Sequence, residues 1–229
     1  MDHAQAAAAG IDVGLRSYML RVYNYMCIGL ALTGAVAFAA STSGELMNAI
    51  HGTALRWVVM LAPLGFVFFL SARIHSMKAA TAQTLFWVYA GLMGLSLSYI
   101  FLAFTGESIV RVFFITSAAF AGLSLYGYTT KKDLSGMGTF LVMGLIGILI
   151  ASVVNIFLAS TGLHFVISIL GVLIFAGLTA YDTQRLKREY QYLRGTEFAG
   201  KAVIMGALSL YLDFINMFLF LLRFMGSRE

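Results

Sequence analysis

"GLTAYDTQRLKREY", residues 177–190, joins a run of apolar residues to a run of charged ones. The apolar part ends at Asp182, and five basic residues follow by position 201. Basic residues are enriched where membrane helices reach the cytoplasm, so this stretch predicts the cytoplasmic end of a membrane-spanning helix. It also places a carboxylate at the foot of that helix, where an acidic group needs either water or a partner.

The whole chain has the composition of a membrane protein. Of its 229 residues, 60% are hydrophobic and 11% are charged, and the mean hydropathy is +0.88. Ordinary globular domains carry about 25% charged residues. We therefore predict an all-α polytopic membrane protein, in contact with lipid. In such a protein the net charge of +5 reflects the Lys and Arg residues in the loops, so we expect no nucleic-acid partner.

Seven apolar runs are long enough to cross about 30 Å of hydrocarbon. The connections between them are short and rich in the Gly, Ser and Asn that are typical of loops. We predict a single seven-helix domain over residues 1–229, with residues 1–18 as a cytoplasmic N-terminal segment. The predicted spans are 19–40, 54–72, 81–104, 110–129, 138–159, 163–183 and 201–225.

The distribution of positive charge predicts the orientation. With the N-terminus inside, the inner segments hold 11 Lys and Arg residues and the outer segments hold 4, which accounts for all 15. The excess on one side indicates a cytoplasmic N-terminus and a C-terminus across the membrane. An alternative interpretation takes residues 26–39 as a signal-peptide core with a cleavage site at "AFA". Cleavage there would leave six helices in the same orientation.

A second carboxylate lies deep in the last span. Asp213 comes twelve residues after Lys201, which is about 18 Å along a helix. If the sixth helix continues through "TQRLKREYQYL" and the chain turns near Gly195, Asp182 lies 13 residues before the turn and Asp213 lies 18 after it. The corresponding heights are about 20 and 27 Å on antiparallel helices. The two aspartates are therefore predicted to face each other.

Two carboxylates that meet away from bulk water cannot easily both ionise, so we expect them to share a proton. The protonated pair is a hydrogen-bonded latch. The deprotonated pair repels itself and attracts cations, among which Ca²⁺ prefers oxygen ligands. We predict that Asp182 and Asp213 form a pH sensor on an ion path and bind calcium ions transiently, with no resident cofactor.

Three other charged residues are candidates for the same machinery. Arg73 ends the second span on the side of Asp182, and we consider it a gating partner as well as an ordinary cytoplasmic anchor. Glu45 and Arg223 both fall at outer ends of spans and are a possible outer ion pair. Interfacial ion pairs of this kind contribute little on average.

The sequence resembles the Bax inhibitor family, also called the transmembrane Bax-inhibitor-motif family, in its bacterial branch. The likeness is carried by "GLTAYDTQRLKREY", "GALSLYLDFINMFLFLLRFMG", "LAPLGFVFFLSARIHSM" and "YMLRVYNYMCIGLALTG". It implies six helices around a central C-terminal helix, in a bacterial inner membrane. It also implies a pH-sensitive calcium leak whose di-aspartyl sensor corresponds to Asp182 and Asp213, with Arg73 as its arginine neighbour. We expect a monomer.

Two other functions remain as alternatives. The resemblance also implies a non-conducting regulator, acting on an FtsH-type membrane protease or on cell death through protein partners. Intramembrane aspartyl proteases likewise use two aspartates, the first in a Tyr-Asp pair like Tyr181 and Asp182. Their second aspartate lies in a Gly-x-Gly-Asp context, whereas this chain has "LYLD" before Phe214. We therefore expect no enzyme.

Reporter fusions test the predicted orientation. Alkaline phosphatase fused after residue 229 should be active, because it folds only outside the cytoplasm, and a fluorescent protein fused there should stay dark. The same reporters fused after Arg194, in a basic inner loop, should give the reverse pattern. A bright fluorescent fusion at residue 229 would contradict the orientation.

Overall fold

The computed structural model describes residues 3–196 and 198–228, with side chains from Val13 onward except that of His75. The described chain is almost entirely helical. Its α-helices are α1 His3–Ser41, α2 Gly44–His51, α3 Leu55–Arg73, α4 Ala79–Leu97, α5 Ile100–Ala103, α6 Gly106–Thr129, α7 Ser135–Leu158, α8 Thr161–Leu193 and α9 Ala199–Met225.

Seven helical segments within the described residues are long and apolar enough to cross a membrane, as the sequence predicts. α4 and α5 together form the third of them, and the short helix α2 precedes the second. The first helix begins at His3 rather than at residue 19. Its early residues "AQAAAA" explain the extension, because alanine has the highest helix propensity.

The sixth span also extends beyond its apolar part, as it must if Asp182 and Asp213 are to lie at similar heights. α8 runs on to Leu193, ten residues past the predicted boundary at 183, so "TQRLKREYQYL" is helical. Gly195 then has φ +78, a left-handed conformation that glycine adopts without strain. The chain turns there and α9 begins at Ala199.

The last span is the most buried of the seven. Within the apolar window of α9, 67% of residues are buried, against 11–44% in the other spans. A mostly buried apolar helix is covered by other parts of the protein rather than by lipid. The burial of α9 agrees with the prediction of a central C-terminal helix.

The chain divides into two compact units. One consists of Met1–Ala103 with Lys187–Tyr211, and the other of Phe104–Leu186 with Leu212–Glu229. In the first unit, α4 packs closely against α1 at Gly94. A Cβ at Gly94 would lie 2.7 Å from the carbonyl oxygen of Thr33, so glycine permits this approach. The Thr33 hydroxyl donates to the Ala90 carbonyl at 2.9 Å and lies 2.7 Å from the Tyr211 hydroxyl.

In the second unit, α6 and α8 pack with their backbones close together. A Cβ at Gly127 would overlap the carbonyl of Ala180. Nearby, the Ser124 hydroxyl lies 3.0 Å from that of Thr183. This close approach fixes the C-terminal part of α8, which carries Asp182, against α6.

Gly127→Ala should therefore destabilise the protein by about 1–3 kcal/mol, because overpacking forces the backbone apart. Gly122→Ala, on the same helix, is the matched control, since nothing lies within 4 Å of a Cβ there. It should be neutral or slightly stabilising through helix propensity. Thermal unfolding in detergent measures both. Equal melting temperatures for the two variants would contradict the close approach of α6 and α8.

Candidate functional site

Asp182 and Asp213 are both buried inside the second unit. Asp182 on α8 is 5% exposed and Asp213 on α9 is 4% exposed. Asp213 lies within electrostatic range of Asp182 and of Arg185. The structure thus brings the two carboxylates into one charged cluster, which consists of Asp182, Arg185 and Asp213 and is called the acidic site below.

Asp182 has a cationic partner that sequence reasoning missed. Arg185, one helical turn further along α8, places its Nη1 3.0 Å from Oδ1 of Asp182. The guanidinium also lies over the ring of Tyr181, 5.8 Å from its centroid. The side chain of Arg185 is 35% exposed, so the ion pair extends from the buried carboxylate to the protein surface. The spacing of three residues on one helix is the signal that identifies such a pair.

Asp213 differs from Asp182 in its hydrogen bonding. Its Oδ2 is buried and has no hydrogen-bond partner among the described residues. The next residue, Phe214, packs its ring 5.6 Å from the rings of both Phe113 and Phe120. These rings form an aromatic cluster around the residue that follows the acid. A buried ionised oxygen without a hydrogen bond costs several kcal/mol, and the neutral acid costs less.

The two residues after Asp182 hold α8 in place. The Thr183 hydroxyl donates to the Thr179 carbonyl at 2.8 Å and contacts Ser124 on α6. Gln184 reaches the loop before α7: its Oε1 accepts from the amide of Leu134 at 2.9 Å, and its Nε2 donates to the carbonyl of Lys132 at 2.7 Å. Sequence reasoning assigned no role to Thr183 or Gln184.

The other predicted site residues lie at the ends of their helices. Arg73 is the last residue of α3, is exposed, and accepts a hydrogen bond from the Ser76 hydroxyl on its carbonyl. Glu45 is exposed in the first turn of α2. Arg223 is exposed in the last turn of α9, with its guanidinium 5.7 Å from the centroid of Phe220. The gating role of Arg73 and the outer ion pair remain predictions.

The acidic site offers a cation few ligands. Among the described residues, no group of three or more His, Cys, Asp or Glu side chains is placed to hold a metal ion. Two carboxylates supply at most four oxygens, whereas Ca²⁺ takes six to eight. The two carboxylates alone therefore do not complete the coordination of a calcium ion.

Arg185→Ala should destabilise the protein by about 1–3 kcal/mol at neutral pH. The substitution leaves the buried charge of Asp182 without its ion pair, and the partial exposure of Arg185 moderates the loss. Arg111→Ala is the control, because Arg111 pairs with Glu107 at an exposed site and such pairs contribute about 0–1 kcal/mol. Thermal unfolding measures both variants. A loss no larger for Arg185→Ala than for Arg111→Ala would show that the ion pair is dispensable.

Comparison with known proteins places the chain among bacterial membrane proteins. The sequence model of the family described as inhibitor of apoptosis-promoting Bax1 matches residues 15–229. A protein of Caulobacter vibrioides is 48% identical over 237 residues, covering 99% of this chain and 94% of that protein. The inner membrane protein YbhL of Escherichia coli is 46% identical over 219 residues, covering 94% of each. A membrane protein of Streptococcus pyogenes is 34% identical over 227 residues, covering 95% of this chain and 96% of that protein. This chain therefore belongs to the Bax inhibitor family of membrane proteins.

Proposed function

We propose that this protein is a pH-sensitive cation leak of the bacterial inner membrane, with calcium as the permeant ion. Its N-terminus is cytoplasmic in this proposal. The observation that carries it is an imbalance of buried charge: the acidic site contains two carboxylates and one arginine. The printed name of the Escherichia coli relative, an inner membrane protein, supports the location.

The charge of the acidic site changes with one proton. While Asp213 is protonated, the negative charge of Asp182 and the positive charge of Arg185 cancel, and the three groups are neutral together. Loss of that proton leaves a net charge of −1 in an environment of low dielectric, where a charge acts strongly. A cation then lowers the energy of the site by entering it. Deprotonation therefore favours conduction, and protonation opposes it.

The contacts of the two acids favour Asp213 as the proton carrier. Arg185 stabilises the ionised form of Asp182, because an opposite charge at 3.0 Å favours the charged state. Asp213 instead has the oxygen without a hydrogen-bond partner among the described residues. The neutral acid removes the cost of that unsatisfied charge and can donate a hydrogen bond. Asp182 and Arg185 are the charged groups that act on Asp213.

Calcium flux from liposomes containing the purified protein tests the proposal. The wild-type rate should rise as the pH is raised, by at most about tenfold per pH unit for a single proton. Asp213→Asn should remove this pH dependence and leave the rate low, because an amide has no proton to lose and the site stays neutral. Glu107→Gln removes a carboxylate from an exposed ion pair and should keep the wild-type profile.

Two outcomes would contradict the proposal. An unchanged pH profile in Asp213→Asn would remove that residue from the sensor. The absence of calcium flux from wild-type protein at every pH would reject the leak and favour the non-conducting regulator. In that case binding to a membrane protease, rather than transport, becomes the activity to measure.

A further inference from the structure

A cavity of about 220 Å³ lies in the first unit, where α1, the end of α8 and the start of α9 meet. Its residues come from the ends of three predicted spans, so the cavity lies at a membrane–water interface rather than at mid-membrane. It is smaller than the roughly 300–1,000 Å³ of pockets for drug-sized molecules, so its ligand is small. The lining residues used below are Ser17, Tyr18, Arg21, Tyr190, Arg194 and Ala199.

The described lining of the cavity is basic. It includes Arg21 from α1 and Arg194 from the turn after α8, and no acidic side chain is among the lining residues that the structure describes. Both arginines are exposed, so neither is withdrawn into the protein. Two further basic residues, Arg16 and Arg188, lie on the same two helices. Guanidinium groups bind phosphate oxygens in a planar, two-pronged geometry, which makes paired arginines suited to a phosphate.

The backbone at the cavity also favours an anion. α9 begins at Ala199, and the first amides of a helix carry a partial positive charge. The neighbouring end of α8 carries the opposite partial charge, but two of its last carbonyls are already engaged within the turn. The Tyr190 carbonyl accepts from the amide of Arg194 at 3.0 Å, and the Leu193 carbonyl accepts from the amide of Thr196 at 3.1 Å.

The remaining walls suit the organic part of a phosphate ester. The rings of Tyr18 and Tyr190 are 5.3 Å apart with an interplanar angle of 36°, and form an aromatic wall. Ser17 adds a hydroxyl that donates or accepts. Aromatic residues at a membrane interface characteristically contact the level of the headgroups.

We propose that this cavity binds a small phosphate ester through Arg21 and Arg194. The same chemistry occurs in the headgroup of an anionic phospholipid and in a soluble compound such as glycerol 3-phosphate. The binding site shares no residue with the acidic site, so the test does not depend on the proposed leak.

Native mass spectrometry of the purified full-length protein tests the proposal. One sample receives phosphatidylglycerol, one receives the zwitterionic phosphatidylcholine, and one receives glycerol 3-phosphate without lipid. The protein should retain phosphatidylglycerol over phosphatidylcholine, or bind glycerol 3-phosphate. The first result identifies a lipid and the second a soluble ester, and either supports the site.

Paired variants distinguish the cavity from general surface charge. Arg21→Gln combined with Arg194→Gln should weaken binding about a hundredfold, since each charged hydrogen-bonding partner contributes about tenfold. Arg56→Gln combined with Arg223→Gln removes the same charge from exposed residues outside the cavity and should leave binding unchanged. Binding of neither probe, equal retention of the two lipids, or equal loss in the two double variants would overturn the proposal.

Discussion

The free-energy cost of burying a carboxylate accounts for the contacts made by the C-terminal half of α8. A charge inside an apolar bundle must be paired, hydrated or protonated. Asp182 meets this requirement with Arg185, 3.0 Å away, and that pairing needs the helix to continue past its apolar part. Thr183 and Gln184 then attach the same turn to α6 and to the loop before α7. Asp213, with a buried oxygen lacking a hydrogen-bond partner in the described chain, is the acid that we propose to be protonated.

The helical extension of α8 has a second consequence. Twelve residues beyond Asp182, the same segment supplies Arg194 to the basic cavity, after the last turn of the helix. The run of positive charge that predicts the cytoplasmic side is therefore not uniform in its surroundings. Arg185 neutralises a buried acid, whereas Arg194 faces an open cavity beside the start of α9. Residues that look equivalent in a count of loop charges thus differ in their surroundings.

Much of the fold follows from the sequence because hydropathy and helix geometry suffice for it. The seven spans, the turn near Gly195 and the depth of Asp213 depend only on apolar length and on the rise per residue. The partners of the acidic site are harder to predict. In the sequence, Arg185 is one of several basic residues on the predicted cytoplasmic side, and the family resemblance indicates Arg73 as the arginine neighbour. The hydrogen bond between Gln184 and Lys132 joins residues 52 positions apart, so no local sequence pattern predicts it.

Infrared spectroscopy of the carboxyl groups tests the central claim most directly, because it detects the proton itself. The wild-type protein in neutral buffer should show the carbonyl band of a protonated, buried carboxyl group, and the band should vanish as the pH is raised. Asp213→Asn should lack the band, and Glu107→Gln, which removes an exposed acid, should retain it. A wild-type spectrum without a protonated carboxyl at any pH where the protein is folded, or a band that persists in Asp213→Asn, would contradict a proton carried by Asp213 beside the ionised Asp182.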